Sequence, residues 1–376
     1  MRKILLLKLL SACLVVTGVN APVAAEEMSN YELTQRIKEL EKKAGATGVS
    51  DWGADRLAFS GLMEAEAGYE NIDYADPARD DEDTSDAALA TMELGVDAMI
   101  NDHVSGRLLF LWEQDDTEPV DLDEGYITIT SGNAFPVHFN AGRMYVPFGN
   151  FESNMVSDPL TLELAETRES AIRVGADLNG FYGSVYLFNG DIDEADEDSH
   201  LDNFGANAGY ALQTDDFALD IGLGYVNNML DSDGWGDDIE DTMKKKNFAL
   251  DEYVAGLASH AIVSSGPIMF VAEYVTALDD PEFIPAAGGD GFRKEKVSAW
   301  NTELGYFFDL AGKPANAGIS FQGSNNAGDF LPETRLMATV GVEIFEATNL
   351  ALEYFHDEYE HNDEADVITS QLSVEF

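Results

Sequence analysis

Residues 217–225 read Phe217-Ala218-Leu219-Asp220-Ile221-Gly222-Leu223-Gly224-Tyr225, and large apolar side chains alternate there with small or polar ones. Because successive side chains of a β-strand point to opposite faces, this pattern predicts a strand with one apolar and one polar face. The alternation starts near Leu57 and continues to Phe376 at the end of the chain. It is also clear in segments 88–100, 204–212, 300–308 and 315–321. Each segment has about ten residues, which is the length that a tilted strand needs to cross a bilayer.

The connections between the predicted strands alternate between short and long. Tight turns are predicted at 101–103, 179–180, 214–216, 264–266 and 346–348. Longer and mostly acidic loops are predicted at 71–86, 145–169, 190–201, 228–251 and 278–297. A soluble β-sandwich would share the alternation along its strands, but it would have no reason to alternate its loop lengths. Turns on one side, loops on the other and an even strand number are typical of bacterial outer-membrane barrels. We therefore predict an all-β fold, a transmembrane antiparallel β-barrel of roughly 16 strands.

The end of the chain supports the same topology. Ile368, Ser370, Leu372, Val374 and Phe376 share one face of the last predicted strand. A terminal strand that ends on an aromatic residue resembles the signal by which outer-membrane barrels reach their assembly machinery. With this end in the periplasm and an even number of strands, every long loop lies on the outer side. We predict a location in the outer membrane of a Gram-negative bacterium, in contact with lipid and lipopolysaccharide.

The first 54 residues differ in character from the barrel region, 55–376. Residues 1–25 combine a basic start, an apolar run and a small-residue cleavage site, which predicts a secretory signal peptide. In residues 26–54, Ser29 and Glu32 form a capping box that predicts a short periplasmic helix. Its single apolar seam needs a partner, which is either the same chain or, in a short coiled coil, another subunit. We predict a homotrimer by analogy with barrels of this size.

Composition and charge limit the classes of function. The chain has 376 residues, with 21 Lys+Arg against 71 Asp+Glu and a net charge of −50. Repulsion from phosphate groups excludes nucleic acid as a partner. The single cysteine, Cys13, lies in the predicted signal peptide, which excludes a disulfide framework. The sequence lacks a nucleophile elbow, a metalloprotease helix and a phosphate loop, so we predict no enzyme activity.

Carboxylates crowd two of the predicted loops, at 80–83 and 191–202. Oxygen-rich clusters suit Ca²⁺ or Mg²⁺, which would neutralise the loops or bridge them to lipopolysaccharide. Neither cluster has the spacing of an EF-hand, and the alternative is a solvated loop without a bound ion. No other cofactor is predicted.

The loop at 145–169 is unusual because Leu160, Leu162 and Leu164 are too apolar for a solvated external segment. We predict that this loop folds back into the lumen, where its leucines pack on the barrel wall. Three carboxylates of the loop would then line a pore constriction: Glu163, Glu166 and Glu169.

This region also carries a family resemblance. The segments that match are Gly142-Arg143, Pro147-Phe148-Gly149, 157–164, 166–169 and Phe188-Asn189-Gly190-Asp191. On these residues the chain resembles the LbtU-family siderophore porins, and the signal peptide, short helix and terminal aromatic residue fit as well. The resemblance implies an outer-membrane channel associated with ferric siderophore uptake. It transfers no ligand-binding residues to positions in this sequence.

The polar face of each strand is predicted to line the lumen. The pore-lining carboxylates are Glu64, Glu93, Asp97, Glu124, Asp177, Asp220, Glu273 and Glu303. Because carboxylates attract cations, we predict a preference for cations. Four arginines are predicted at the constriction: Arg107, Arg143, Arg173 and Arg335. They either cluster opposite the loop and create a transverse field, or form isolated salt bridges within the wall.

The sequence thus predicts a porin for the passive passage of small solutes, with ferric siderophore uptake implied by the resemblance. Two alternatives stay open: a general cation-preferring diffusion porin without siderophore specificity, and a structural or adhesin barrel.

Overall fold

The computed structural model describes residues 56–114, 120–132, 136–195, 200–285 and 291–376. The predicted signal peptide and periplasmic helix lie outside these residues. The strands are β1 (Leu57–Asp73), β2 (Glu82–Asn101), β3 (Val104–Glu113), β4 (Asp121–Thr130), β5 (Val137–Tyr145), β6 (Arg168–Leu178), β7 (Phe181–Phe188), β8 (Asn203–Gln213), β9 (Phe217–Val226), β10 (Phe248–Leu250), β11 (Gly256–Ser265), β12 (Ile268–Ala277), β13 (Glu282–Pro285), β14 (Phe292–Arg293), β15 (Ser298–Asp309), β16 (Pro314–Asn325), β17 (Thr334–Phe345), β18 (Thr348–Glu358) and β19 (Glu364–Glu375). The helices are α1 (Leu160–Ala165), α2 (Trp235–Lys246) and a 3₁₀ turn at Met229–Asp231.

Sixteen strands form one closed antiparallel barrel, and β10, β13 and β14 form a separate small sheet. The barrel closes where β1 pairs with β19, with Leu62 opposite Glu375 and Asp73 opposite Glu364. Consecutive barrel strands pair with each other around the ring. The start of β1 and the end of β19 therefore lie at the same end of the barrel as the short turns. The predicted barrel, its strand number and its alternating connections are confirmed.

The predicted boundaries of one loop were wrong. The first predicted loop, 71–86, shrinks to 74–81 because β1 and β2 have 17 and 20 residues and pair as far as Ile72 opposite Glu82. Polar side chains at this end of β1 and β2 obscure the apolar alternation by which the strands were predicted. The backbone pairing of the two strands nevertheless continues there. The predicted loops at 228–251 and 278–297 contain regular secondary structure. The first includes α2 and β10, and the second includes β13 and β14. Within the described residues, none of the helices is long and apolar enough to cross a membrane.

The outer face of the barrel is a band of large apolar side chains. Phe181, Val185 and Leu223, for example, are 65%, 62% and 59% exposed. Exposed apolar area costs about 25 cal/mol per Å² in water, so an apolar band of this extent is stable only against lipid. The fold is thus that of a transmembrane barrel, whose strands present their apolar face to the bilayer.

The main apolar core lies inside the barrel, because residues on the inner face of the wall pack there against α1, which contacts β12, β15 and β16. Leu160 and Leu164 of α1 are fully buried, and Trp235 and Ile239 of α2 are 3% and 1% exposed. The side chains of the wall that face them are buried as well. Part of the lumen is therefore filled with protein.

Candidate pore constriction

The segment between β5 and β6, residues 146–167, is named here the constriction loop. Its backbone hydrogen-bonds to side chains of β12, β15 and β18. Each of these strands lies at least six strands from β5 in either direction around the ring. A loop that leaves β5 reaches them only across the lumen. The constriction loop therefore folds into the barrel and narrows it.

Three wall carboxylates hold the first half of the constriction loop. Glu273 accepts hydrogen bonds from the backbone N–H groups of Asn150 and Phe151, at 2.7 and 3.1 Å. Hydrogen bonds between a carboxylate and an amide are about twice as strong as neutral ones. Glu303 and Glu353 accept hydrogen bonds from backbone N–H groups further along the loop.

Glu303 accepts a hydrogen bond of 2.6 Å from the N–H of Asn154 and one of 2.8 Å from the hydroxyl of Ser153. Glu353 accepts bonds of 2.6 and 2.9 Å from the N–H groups of Val156 and Ser157. These two glutamates and Glu273, named here the anchor glutamates, are only 1% to 5% exposed. Since each satisfies at least two donors, they fix an extended stretch of the loop to the wall.

The second half of the loop continues into α1. The N–H of Leu160 donates to the side-chain oxygen of Gln322 at 2.8 Å, and the hydroxyl of Thr161 donates to Glu273 at 2.9 Å. Gly224 on β9 meets the carbonyl of Phe148, where a Cβ atom would leave no space. The loop is thus fitted to the wall by backbone contact as well as by its leucines.

One end of α1 is held by an arginine of the wall. Arg335 on β17 lies 3.2 Å from Glu163 and donates two hydrogen bonds to Asp357, at 2.8 and 2.9 Å. Its guanidinium also lies 4.5 Å from the ring centre of Phe355. Burial raises the pKa of the Glu163 carboxyl, and the positive charge of Arg335 opposes that shift. Glu163, Arg335 and Asp357 thus form a buried ion triad.

The C-terminal end of the constriction loop, at Glu166, lies next to the acidic residues Asp123 and Asp233. The guanidinium of Arg168 forms an ion pair with Asp123 on β4. The backbone N–H of Arg168 donates a hydrogen bond of 3.3 Å to the carboxylate of Asp233. The N–H of Asp233 donates to the carbonyl of Glu166 at 2.8 Å. Burial, together with Asp233, Asp158 and Asp123, raises the pKa of Glu166 well above its usual value. Burial also raises the pKa of Asp233 to about 7, although Arg168 opposes the shift.

We expect the contact between Glu166 and Asp233 to tighten as pH falls. In an opened state, carboxyls titrate near pH 4. In the closed state the raised pKa of Asp233 keeps its carboxyl protonated to higher pH. The resulting stabilisation of the closed state is therefore fully present below about pH 4 and is lost as pH rises through 7. We expect the amide hydrogen of Asp233 to exchange at least about tenfold more slowly at pH 5 than at pH 8, after correction for the intrinsic rate. Asp233→Asn should weaken this dependence, and a pH-independent protection factor would contradict it.

The remaining predicted arginines lie elsewhere on the wall. Arg107 pairs with Glu124 at 2.8 Å and with Asp97 at 3.7 Å. Arg173 donates to the hydroxyl of Ser184 at 2.9 Å. Arg143, on β5, interacts electrostatically with Asp233. Its Nε atom is buried and has no hydrogen-bond partner. Arg107, Arg143 and Arg173 thus lie on strands β3, β5 and β6, within one sector of the ring, whereas Arg335 lies on β17 beside the loop.

The predicted carboxylates are also spread over several environments. Glu64 is fully buried, whereas Asp177 on β6 is 62% exposed at its side chain and lies 3.3 Å from His138. Asp220 accepts a hydrogen bond of 2.8 Å from the hydroxyl of Tyr182. The carboxylate of Glu169 accepts a hydrogen bond from the neighbouring N–H of Ser170. Their roles in the pore stay predictions.

Sequence reasoning missed the anchoring role of Glu273 and Glu303, which were predicted only to line the pore, and that of Glu353. A glutamate on the polar face of a strand gives no sign of whether it faces water or a loop. Among the described residues, no cluster of three or more histidine, cysteine or acidic side chains is arranged to hold a metal ion. Part of the acidic loop at 191–202 lies outside them, and Ca²⁺ or Mg²⁺ at the loops stays a prediction.

Comparison with known proteins places this barrel among outer-membrane porin folds. The chain is similar in structure to the outer membrane channel DcaP of Acinetobacter baumannii, with a TM-score of 0.57, 13% identity and coverage of 85% of this chain and 97% of that one. An anion-selective porin from Comamonas acidovorans gives a TM-score of 0.54 at 11% identity, with coverage of 85% and 99%. OmpF of Salmonella typhi gives 0.57 at 11% identity, with coverage of 85% and 97%. At these identities the likeness establishes the fold alone.

The similar sequences are UPF0422 proteins. One from Coxiella burnetii is 29% identical over 347 residues, which cover 90% of this chain and 71% of that protein. One from Legionella pneumophila strain Lens is 26% identical over 331 residues, which cover 80% of this chain and 59% of that protein. The chain thus matches only part of the length of these relatives. No family model matches it.

Proposed function

We propose that the protein is an outer-membrane porin of a Gram-negative bacterium, through which small solutes pass by diffusion and cations pass more readily than anions. The observation that carries the proposal is the constriction loop, which is held inside the barrel by the anchor glutamates. A barrel with a purely structural role would not need a built-in narrowing of its lumen. The proposal assigns no catalytic step to the chain.

The balance of charge around the loop supports a preference for cations. Arg335 faces both Glu163 and Asp357, and Arg107 faces both Asp97 and Glu124. Because each of these two arginines meets two carboxyl groups, each group contains more acidic than basic side chains. Fixed negative charge in a narrow aqueous passage favours cations. The arrangement favours local salt bridges over a transverse field.

Recordings from planar bilayers test this proposal. The purified protein should open channels in a KCl gradient, and the sign of its reversal potential should give a ratio of K⁺ to Cl⁻ permeability above 1. The preference should weaken at high salt, because the Debye length falls to about 3 Å at 1 M. A selectivity for chloride would refute the cation preference, and a sealed barrel would favour the structural role.

The same recording tests the finer parts of the proposal. The resemblance to siderophore porins implies that a ferric siderophore enters this lumen and blocks the current reversibly. Channels indifferent to every ferric siderophore tested would leave a general diffusion porin. We also propose a homotrimer in contact with lipid and lipopolysaccharide, and three equal closing steps per insertion are its expected signature.

A further inference from the structure

The apolar core inside the barrel occupies one side of the lumen. Residues on the inner face of the wall contribute to it from β5 to β15, and all of them are at most 3% exposed: Met144, Ala171, Tyr186, Phe188, Val226, Ala258, Val275, Ala277 and Ala299. They share one apolar cluster with Leu160 and Leu164 of α1, the helix that contacts β12, β15 and β16. Such a core excludes water, so solutes do not pass along this side at the level of the loop.

The opposite wall is made of β17, β18, β19, β1, β2, β3 and β4, which are consecutive in the ring. Among the described residues, these strands supply none of the buried members of that core, and only Tyr126 packs against its border. Their inward side chains include many charged or polar ones. Glu66 accepts a hydrogen bond of 3.0 Å from Gln371, and Glu93 is half-buried and interacts electrostatically with Arg107 and Asp123.

The two sides of the lumen thus differ in both packing and charge. The constriction loop is bound to the wall along β12, β15 and β18, and α1 contacts β12, β15 and β16. The face of the loop that carries Glu163 and Glu166 is bounded by Arg335 of β17 on one side and Asp123 of β4 on the other. Because β17 and β18 hold the loop through Arg335 and Glu353, the space on the far side of the loop is lined by β19, β1, β2 and β3.

We propose that solutes pass through an off-centre cleft between the constriction loop and the wall from β19 to β4, and that Glu66, Glu93 and Asp97 of this wall set its selectivity. This inference rests on the proposed channel function and specifies it. The cleft has carboxylates on both sides, so it suits small organic cations whose ammonium groups exchange from one carboxylate to the next. A passage along the barrel axis would instead expose all inner faces to the solute alike.

Labelling of introduced cysteines tests the position of the cleft. In full-length Cys13→Ala protein, Glu66→Cys and Asn207→Cys place a thiol on the inner face of β1 and of β8. Asn207 is the matched control, since it is also half-buried and hydrogen-bonds to Ser184 on the core side of the barrel. A positively charged methanethiosulfonate reagent should lower the current of Glu66→Cys by more than half and leave that of Asn207→Cys within about 10%. Equal block at both positions, or block at Asn207→Cys alone, would overturn the off-centre path.

Glu93→Gln provides a second measurement that does not depend on labelling. Removal of one charge from a narrow passage should lower the ratio of K⁺ to Cl⁻ permeability by about two- to fivefold. The ratio for tetramethylammonium over chloride should fall in the same direction. Unchanged ratios in a folded, conducting variant would reject the role of this wall while leaving the porin function intact. If the wild-type protein carries no current, the porin function fails first, and the path with it.

Discussion

Replacement of all three anchor glutamates by glutamine, Glu273→Gln, Glu303→Gln and Glu353→Gln, should raise the single-channel conductance several-fold. Each carboxylate accepts at least two hydrogen bonds from the constriction loop. A hydrogen bond to a charged group contributes about 1.5–3 kcal/mol, and an amide oxygen replaces it only in part. The triple substitution weakens all eight hydrogen bonds that the loop donates to these carboxylates, and so removes much of the free energy that holds the loop against the wall. The loop would leave the lumen, and the barrel alone would limit the current.

The matched control is Glu343→Gln, a neutralisation on β17 at the turn end of the barrel, far from the loop. It should change the conductance by less than about a fifth. Heat-modifiable migration in gels would verify that both variants form a closed barrel. If the triple variant is folded and its conductance equals that of the wild type, the loop does not narrow the pore.

Arg335→Met should be the most destabilising single substitution among the pore residues. The change leaves the carboxylates of Glu163 and Asp357 close together, buried, and without their cation. Breaking a buried ion pair in this way costs about 3–5 kcal/mol. The expected result is a lower midpoint of urea unfolding in lipid vesicles at pH 8. Burial raises the pKa of the Glu163 carboxyl, so its protonation at acid pH should recover part of the loss.

Arg293→Met is the control for this prediction. Arg293 pairs with Asp280 and Glu282, but its own side chain is 59% exposed. Exposed pairs contribute about 0–1 kcal/mol, so its unfolding midpoint should hardly move at any pH. Equal effects of the two substitutions would mean that the triad around Arg335 is no more important than a surface pair.

The sequence predicted the barrel because the signal is local and repeated. The strict alternation at 217–225 corresponds to β9 at Phe217–Val226, and the short turn at 179–180 lies between β6 and β7 as expected. The helix α2 was not predicted, since charged residues surround its apolar ones. Its Trp235 and Ile239 are buried in an apolar cluster whose other members come from distant parts of the chain.

The sequence predicted that the constriction loop is buried, but it did not predict which residues of the wall hold it. Leu160 and Leu164 are apolar within an external connection, and this contrast points to burial without any knowledge of the partner. The anchors have no comparable signal. Glu273 is 123 residues from Asn150, and Glu353 is 197 residues from Val156. Glutamates of this kind look like any polar residue on an inward face, so only the closed ring reveals what they bind.

The anchor glutamates also set an order of events during biogenesis. The constriction loop is synthesised with β5, but its acceptors lie on β12, β15 and β18, which follow much later in the chain. Contacts between such distant segments form late and slowly, because a long stretch of chain must first be brought into place. The loop therefore cannot settle until the C-terminal strands have joined the ring. An unfinished barrel would stay wide open, and the narrowing of the pore becomes the last step of assembly.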